Sequence, residues 1–288
     1  MNITVTGASG FLGRHLVKAL KAEAHDVHVL GRNRWDTLSG QEPPAESLER
    51  ADAIVHLAGE PVAQRWTAET KKRIRTSRVD GTRHLVNALS TLSHRPKVLI
   101  SASAIGIYGD RGDEVLTEQS GSGIGFLAQV TEDWESAARL AETLGIRVVL
   151  LRFGVVLGRD GGALAKMLPI FRWGLGGKLG NGRQWMSWIH VADVTALIRH
   201  ALASDALSGP INVTAPNPVR NAEFTRTLAG ALHRPGIFPV PAIALKLAYG
   251  QMASVILASQ RVLPVAAESA GFHFRYPSLA EALADCVR

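Results

Sequence analysis

Three glycines, Gly7, Gly10 and Gly13, lie in the run Thr6-Gly7-Ala8-Ser9-Gly10-Phe11-Leu12-Gly13, directly after an apolar run that begins at Met1. This spacing suits a loop that cradles phosphate. Gly7 allows a tight turn, Gly10 lets backbone approach a pyrophosphate, and Gly13 lets the next helix pack against its strand. The helix N-terminus then offers free N–H groups and a positive dipole end, with Ser9, Phe11 and Leu12 beside them. The spacing predicts a dinucleotide site; a purely structural glycine turn is the alternative. About 20 residues further on, an acid would ordinarily hold an adenosine ribose 2′-hydroxyl. Gly31 and Arg32 stand there instead. A carboxylate would repel a 2′-phosphate, whereas arginine pairs with one. NADP (NADPH) is therefore the expected cofactor rather than NAD, with Arg34 as a second partner or a solvated loop residue.

The elements that must hold this turn are legible as an alternation of short apolar runs and longer helical patterns. Strands are expected at 1–6, 27–30, 52–57, 97–101 and 147–153. Helices are expected at 10–23, with Leu12, Leu16 and Leu20 four apart, at 68–92, and at 126–144, ended by Gly145. Near-continuous apolar runs such as Arg147 to Phe153 suit parallel strands covered on both faces. The fold class is α/β, a doubly wound parallel (Rossmann) sheet. A nucleotide-binding domain over 1–158 is followed by a smaller, partly interleaved substrate lobe over 159–288, and segments of about 187–215 return to the sheet. That lobe is read as short strands and helices, then a mostly helical tail from Phe238 with one extended segment near Phe272 to Tyr276.

Composition removes several function classes. Hydrophobic residues at 46% and charged residues at 20% exclude a disordered chain. The single cysteine, Cys286, excludes a disulfide framework. No apolar run approaches the roughly 20 residues that cross a bilayer, and no signal-peptide pattern opens the chain. The expected location is cytoplasmic, with no membrane partner. The net charge of +7 is spread, with its densest cluster at Lys71, Lys72, Arg73, Arg75 and Arg78, and no nucleic-acid signature accompanies it. No nucleic-acid partner is expected. The histidines show no metal spacing, so no metal is expected.

Several further runs carry a resemblance. They are Asp52 to Gly59 (DAIVHLAG), Arg78 to Thr82 (RVDGT), Ser101 to Gly109 (SASAIGIYG), Arg152 to Gly158 (RFGVVLG) and Trp188 to Val194 (WIHVADV). With the glycine turn, they resemble the extended type of the short-chain dehydrogenase/reductase superfamily. The tail, Ser259 to Pro264 and Ala270 to Pro277, is similar to that of an atypical, epimerase-like, NADP-binding subgroup whose substrate is generally unassigned. The resemblance implies cofactor contacts at the phosphate turn, Gly31, Arg32, Leu57, Ala58, Gly59, Arg73, Arg78, Ser101 and Val156. Leu57 and Ala58 would face the adenine and Arg78 a phosphate; Arg73 is equally readable as a solvated helix residue. Ser101 and Ser103 fall on the strand end that carries the family's active-site serine. The resemblance also implies dimerisation through the helices at 68–92 and 126–144.

One departure matters most. The family's general acid is a tyrosine with a lysine four residues later. Tyr108, Tyr249 and Tyr276 are followed four on by Gly112, Ala253 and Ala280, and Phe126 and Val130 hold the expected spacing. Positioned proton transfer contributes about 10²–10⁴-fold to a rate, so another group must supply it or ordinary carbonyl reduction does not occur. Ser103, Ser101 and Tyr108 are the candidate catalytic residues, with Glu132 and His190 as further proton carriers. Each has a blander reading: a strand-end serine, a packed tyrosine, a solvated helix face. The glycine-rich run Gly174 to Gly182 leads into Arg183, Gln184 and Trp185, which would hold a phosphate or sugar and stack on a ring, or form a surface loop. His190 is a further substrate candidate, or with Asp193 it caps the next helix. Two functions follow. One is an NADP(H)-dependent, epimerase-like oxidoreductase acting on a small carbonyl or nucleotide-sugar-like substrate. The other is a non-catalytic NADP(H)-binding sensor or partner-binding protein.

Overall fold

A computed structural model describes residues 1–288. In chain order the first half comprises β1 (Asn2–Thr6), α1 (Phe11–Ala22), β2 (Asp26–Leu30), β3 (Ala53–His56), α2 (Ala68–Ser90), β4 (Val98–Ala104), β5 (Val115–Leu116), α3 (Phe126–Arg139) and β6 (Arg147–Phe153). The second half comprises β7 (Val155–Gly158), α4 (Gly162–Arg172), β8 (Trp185–Met186), β9 (Trp188–His190), α5 (Val191–Ala203), β10 (Gly209–Val213), β11 (Val219–Arg220) and α6 (Asn221–Ala231). The tail adds α7 (Ala242–Tyr249), α8 (Ala253–Leu257), β12 (Arg261–Val262), α9 (Val265–Ser269) and α10 (Leu279–Val287).

Six strands form one parallel sheet in the order β10-β6-β4-β3-β1-β2. Successive strand residues turn to opposite faces. Val55, Ile100, Val149 and Leu151 pack with Leu16 and Leu20 of α1 and with Val194, Leu197 and Ile198 of α5. Their chain neighbours Ile54, Leu99, Val148 and Leu150 pack with Leu85 and Leu89 of α2 and Ala138 of α3. Both faces are thus covered, which is why these strands read as unbroken apolar runs. The chain leaves β1 toward β2 and then returns to β3 on the other side. That reversal opens a crevice at the carboxyl ends of β1 and β3, where open α/β sheets bind ligands.

The second half adds three small pairs, β7 with β9, β8 with β11 and β12 with β5. Its own core joins Leu164, Leu168 and Phe171 of α4 to Phe224 and Leu228 of α6 and Leu283 of α10. Three elements refine the expectation. The 126–144 helix is α-helical only to Arg139 and tightens to a 3-10 turn over Leu140–Leu144 before Gly145 in the left-handed region. The extended segment Phe272 to Tyr276 joins no sheet; the Arg275 and Tyr276 N–H groups donate instead to the Asp193 carboxylate, at 2.8 and 3.0 Å. The run 174–182 is pinned rather than loose: a Cβ at Gly177 would lie 1.8 Å from the Phe238 carbonyl oxygen. Its glycines serve close approach.

Candidate cofactor cleft and active site

The glycine turn closes tightly against β3. Gly7 has φ of +68°, and a Cβ on it would lie 2.7 Å from the Ala58 nitrogen. A Cβ on Gly13 would lie 2.3 Å from the Gly7 oxygen. Gly10 is the N-cap of α1, no side chain caps it, and no acid occupies the first turn. The helix therefore begins with N–H groups that no side chain satisfies, the arrangement that receives an anion. By contrast, Thr67 caps α2 by accepting from the Thr70 N–H. The Phe11 ring is held among the glycines of the β7–α4 turn; a Cβ at Gly161 would meet it at 2.3 Å.

A cavity of about 290 Å³ opens beside this turn. Gly7, Gly10, Phe11, Leu12 and Gly13 form one wall, Leu57, Ala58, Gly59 and Arg78 a second, and Ser103 with Phe153 the floor. Leu127, Val130, Thr131 and Trp134 of α3 form the remaining wall. The Arg78 guanidinium donates to the Glu60 carbonyl at 2.8 Å and lies over the Trp134 ring, its carbon 5.1 Å from the centroid. Burial pushes its pKa down to about 10, so it is still a cation at neutral pH. It is the one charged side chain lining this cavity.

Behind the floor runs a buried polar chain. The Ser103 hydroxyl donates to Glu135 Oε1 at 2.6 Å. Glu135 is held by Arg152 through two bonds of 2.8 Å. Arg152 Nη1 also donates to the Tyr108 hydroxyl at 2.9 Å, which in turn meets Asn212 Oδ1 at 2.7 Å. Burial raises the Tyr108 pKa above the ordinary phenol value. A carboxylate only accepts, so Ser103 commits its single proton to Glu135 and turns lone pairs toward the cavity. Nearby, the buried His56 ring bonds Thr6 Oγ1 through Nδ1 at 2.7 Å, while its Nε2 has no partner. Burial lowers its pKa to about 4.

A second cavity, of about 470 Å³, lies between the Asp110–Asp113 turn and the smaller lobe and is polar. Arg183, Gln184, Arg220, Asp110, Asp113 and Ser259 are among its walls. Asp113 pairs with Arg220 at 2.7 Å and accepts from Trp185 Nε1 at 3.1 Å. The Arg220 hydrogen bond, first, holds the Asp113 carboxyl below its usual range. The guanidiniums of Arg220 and Arg261 lie 4.2 and 4.7 Å from the Trp185 ring centroid. Arg220 and Arg261 were not singled out in sequence, because only the β8–β11 pairing and the Gln260 N–H bond to the Trp185 carbonyl bring them to Trp185.

Of the expected site residues, the first cavity gathers Gly7, Gly10, Phe11, Leu12, Gly13, Leu57, Ala58, Gly59, Arg78 and Ser103. It does not gather Ser9, whose carbonyl accepts from Arg14, nor Gly31 and Arg32 at the exit of β2. The Arg32 side chain is 67% exposed and 4.0 Å from Asp36. Arg73 pairs with Glu60 at 3.3 Å on the surface. Ser101 is fully buried in β4, in register with His56 and Leu150. Val156 is paired with Ile189 in the β7–β9 ladder. Tyr108 is a correction: it is wholly buried, and its hydroxyl is consumed by the polar chain instead of facing the cavity. His190 is another. Its Nδ1 caps α5 by accepting from the Ala192 N–H, its Nε2 lies 3.3 Å from Asp285, and its ring packs at a tilt against Tyr276, centroids 4.1 Å apart. Gln184 turns inward and donates to the Leu179 carbonyl at 3.1 Å.

The model of the NAD-dependent epimerase/dehydratase family matches residues 3–214. The chain belongs to that family. Residues 240–286 match a second model, a domain of unknown function, DUF1731. A chloroplastic epimerase family protein SDR39U1 homolog of Arabidopsis thaliana is 44% identical over 98% of this chain and 86% of its own length. The epimerase family protein YfhF of Bacillus subtilis is 41% identical over 100% of this chain and 98% of its own. Among solved structures, the human epimerase family protein SDR39U1 with NADPH superposes with a TM-score of 0.90, at 32% identity, covering 99% of both chains. A nucleoside-diphosphate sugar epimerase of Corynebacterium glutamicum gives a TM-score of 0.82 at 38% identity, covering 100% of this chain and 58% of that one.

Proposed function

We propose that the first cavity binds NADP(H) and that the chain is an epimerase-like oxidoreductase acting on a nucleotide-sugar-like substrate. The observation that carries this reading is the meeting of the uncapped glycine turn and Ser103 on one cavity at the sheet's switch point. The NADPH in the human relative's structure supports the cofactor, and the Corynebacterium relative's description supports the substrate class. Arg32 and Arg34, at the exit of β2, are the proposed partners of the 2′-phosphate, Arg78 of the pyrophosphate. Arg183, Arg220 and Trp185 are the proposed ligands of the substrate's phosphates and base. When bound, the nicotinamide supplies hydride exchange.

Ser103 and Glu135 are the proposed replacement for the missing tyrosine and lysine. A substrate hydroxyl donating to Ser103 Oγ would pass its proton there as the Ser103 proton moves to Glu135 Oε1. The relay runs in reverse for reduction. While Glu135 is ionised, Ser103 offers lone pairs and recognises the hydroxyl form of the substrate; once Glu135 holds the proton, Ser103 donates to the carbonyl form. A second reading, binding without turnover, is favoured by the apolar Phe126 and Val130 at the family's catalytic spacing. The test is to incubate the protein with NADP⁺ or NADPH and a panel of nucleotide sugars. Products are then separated by chromatography while NADPH absorbance is followed. Turnover lost in Ser103→Ala and Glu135→Gln supports the enzyme. Tight cofactor binding without turnover across the panel supports the second reading.

A further inference from the structure

No helix is long and apolar enough to cross a membrane, but a surface can lie on a bilayer without spanning it. Between Asp160 and Asp193, and again between Glu223 and Glu268, the chain has no carboxylate at all. The fold lays these two stretches side by side. The Phe238 N–H donates to the Gly176 carbonyl, Val240 to Lys178 and Gly180 to Val240, while Arg234 Nε reaches the Arg172 carbonyl. Along this seam large apolar side chains face water. Trp173 is 82% exposed and Ile237 72%. The helix α7 turns Leu245 inward and sets Ile243 and Leu247, one turn apart, outward at 69% and 73% exposure. Arg172, Lys178, Arg234 and Lys246 are exposed among them.

Exposed apolar side chains interspersed with cations mark an interaction surface. A second copy of this chain does not suit it, because a two-fold contact would set the same cations against one another. An anionic lipid bilayer does suit it. Indole and aliphatic side chains settle at the headgroup boundary, and lysine and arginine meet the lipid phosphates. We propose that this face, centred on Trp173, Ile237, Ile243 and Leu247, docks the protein on an anionic membrane surface. The proposal stands apart from the cofactor reading, since none of these residues lines the first cavity.

The test is co-sedimentation of the full chain with phosphatidylcholine vesicles, with and without phosphatidylglycerol. Binding to the mixed vesicles should exceed binding to phosphatidylcholine alone by at least about tenfold, and salt should weaken it. The double substitution Ile243→Glu/Leu247→Glu should abolish binding, and Lys246→Glu should reduce it. NADPH titration of both variants reports whether they are folded, independently of the outcome with vesicles. Absence of sedimentation, equal binding to neutral vesicles, or binding that survives the double substitution overturns the proposal. So does retention on polyglutamate without vesicle binding, which would give the face to an acidic protein. A concentration-dependent dimer lost in the double variant, without vesicle binding, would make it a self-contact.

Discussion

The two cavities are built from different parts. The first is made mainly by backbone: glycines that let α1 approach β3, and apolar walls with a single buried cation, Arg78. The second is made by charged side chains, Arg183, Arg220 and Asp113, gathered around Trp185 from separate segments. A backbone-built site tolerates no added atom, because the strand and helix behind it cannot move. A side-chain-built site tolerates truncation but loses its charge pattern. The first therefore suits an invariant ligand and the second a variable one.

Four substitutions or titrations press on that contrast. The largest effect should come from Arg152→Ala, which strands Glu135 as an unpaired buried carboxylate beneath the first cavity. Removing one partner of a buried pair costs about 3–5 kcal/mol, readable as a lower urea midpoint at unchanged slope. An unchanged midpoint would mean that the polar chain is not formed. Next is acid sensitivity through His56, whose ring is buried neutral with a pKa of about 4 against a reference value of 6.5. Above pH 6.5 neither folded nor unfolded state binds this proton. As pH falls toward 4 the unfolded ring takes it up and the folded ring does not, so stability is lost. Below about 4 the loss levels off. The whole span is worth about 3 kcal/mol. Unfolding curves of wild type and His56→Gln across this window should diverge in slope.

Gly13→Ala forces a Cβ into the Gly7 carbonyl, at 2.3 Å. Overpacking of this kind costs about 1–3 kcal/mol. NADPH affinity measured by calorimetry should fall about tenfold or more, while affinity for a nucleotide sugar is untouched. The smallest effect belongs to Arg220→Ala. It should weaken a nucleoside diphosphate about tenfold, as loss of one charge-assisted bond does, and leave NADPH binding alone. Equal losses of both ligands in either variant would dissolve the distinction between the cavities.

The doubly wound sheet and the glycine turn were legible because both rest on local periodicity. Leu12, Leu16 and Leu20 mark a helix, and three glycines at fixed spacing mark what must touch it. The short strands β5, β7, β8, β11 and β12 carry too few residues to show a period, and α4 hides behind Pro169. Glu135 escaped notice among the acids of α3, although Glu132 and Asp133 are the surface ones: Glu132 accepts from Ser122, Asp133 from Arg75. A signal existed. Glu135 sits four residues after Thr131 and three before Ala138, all on the buried face. Arg152 interrupts an otherwise apolar strand, and a buried cation needs a buried anion. Tyr108 misled because a residue type capable of chemistry is also capable of bridging, and only tertiary contacts separate the two; the capping role of His190 was legible from its place before a helix. The partners of Trp185 lie too far apart in the chain for spacing to reveal them.

The central claim is that the glycine turn and Arg32 together make an NADP(H) site. Calorimetric titration of the purified protein with NADPH and with NADH, beside an Arg32→Ala variant, tests it most directly. The account predicts that NADPH binds at least about tenfold more tightly than NADH, as one charge-assisted phosphate pair implies, and that Arg32→Ala brings the two close to parity. Equal binding of both nucleotides by the wild type, or binding of neither, would contradict it.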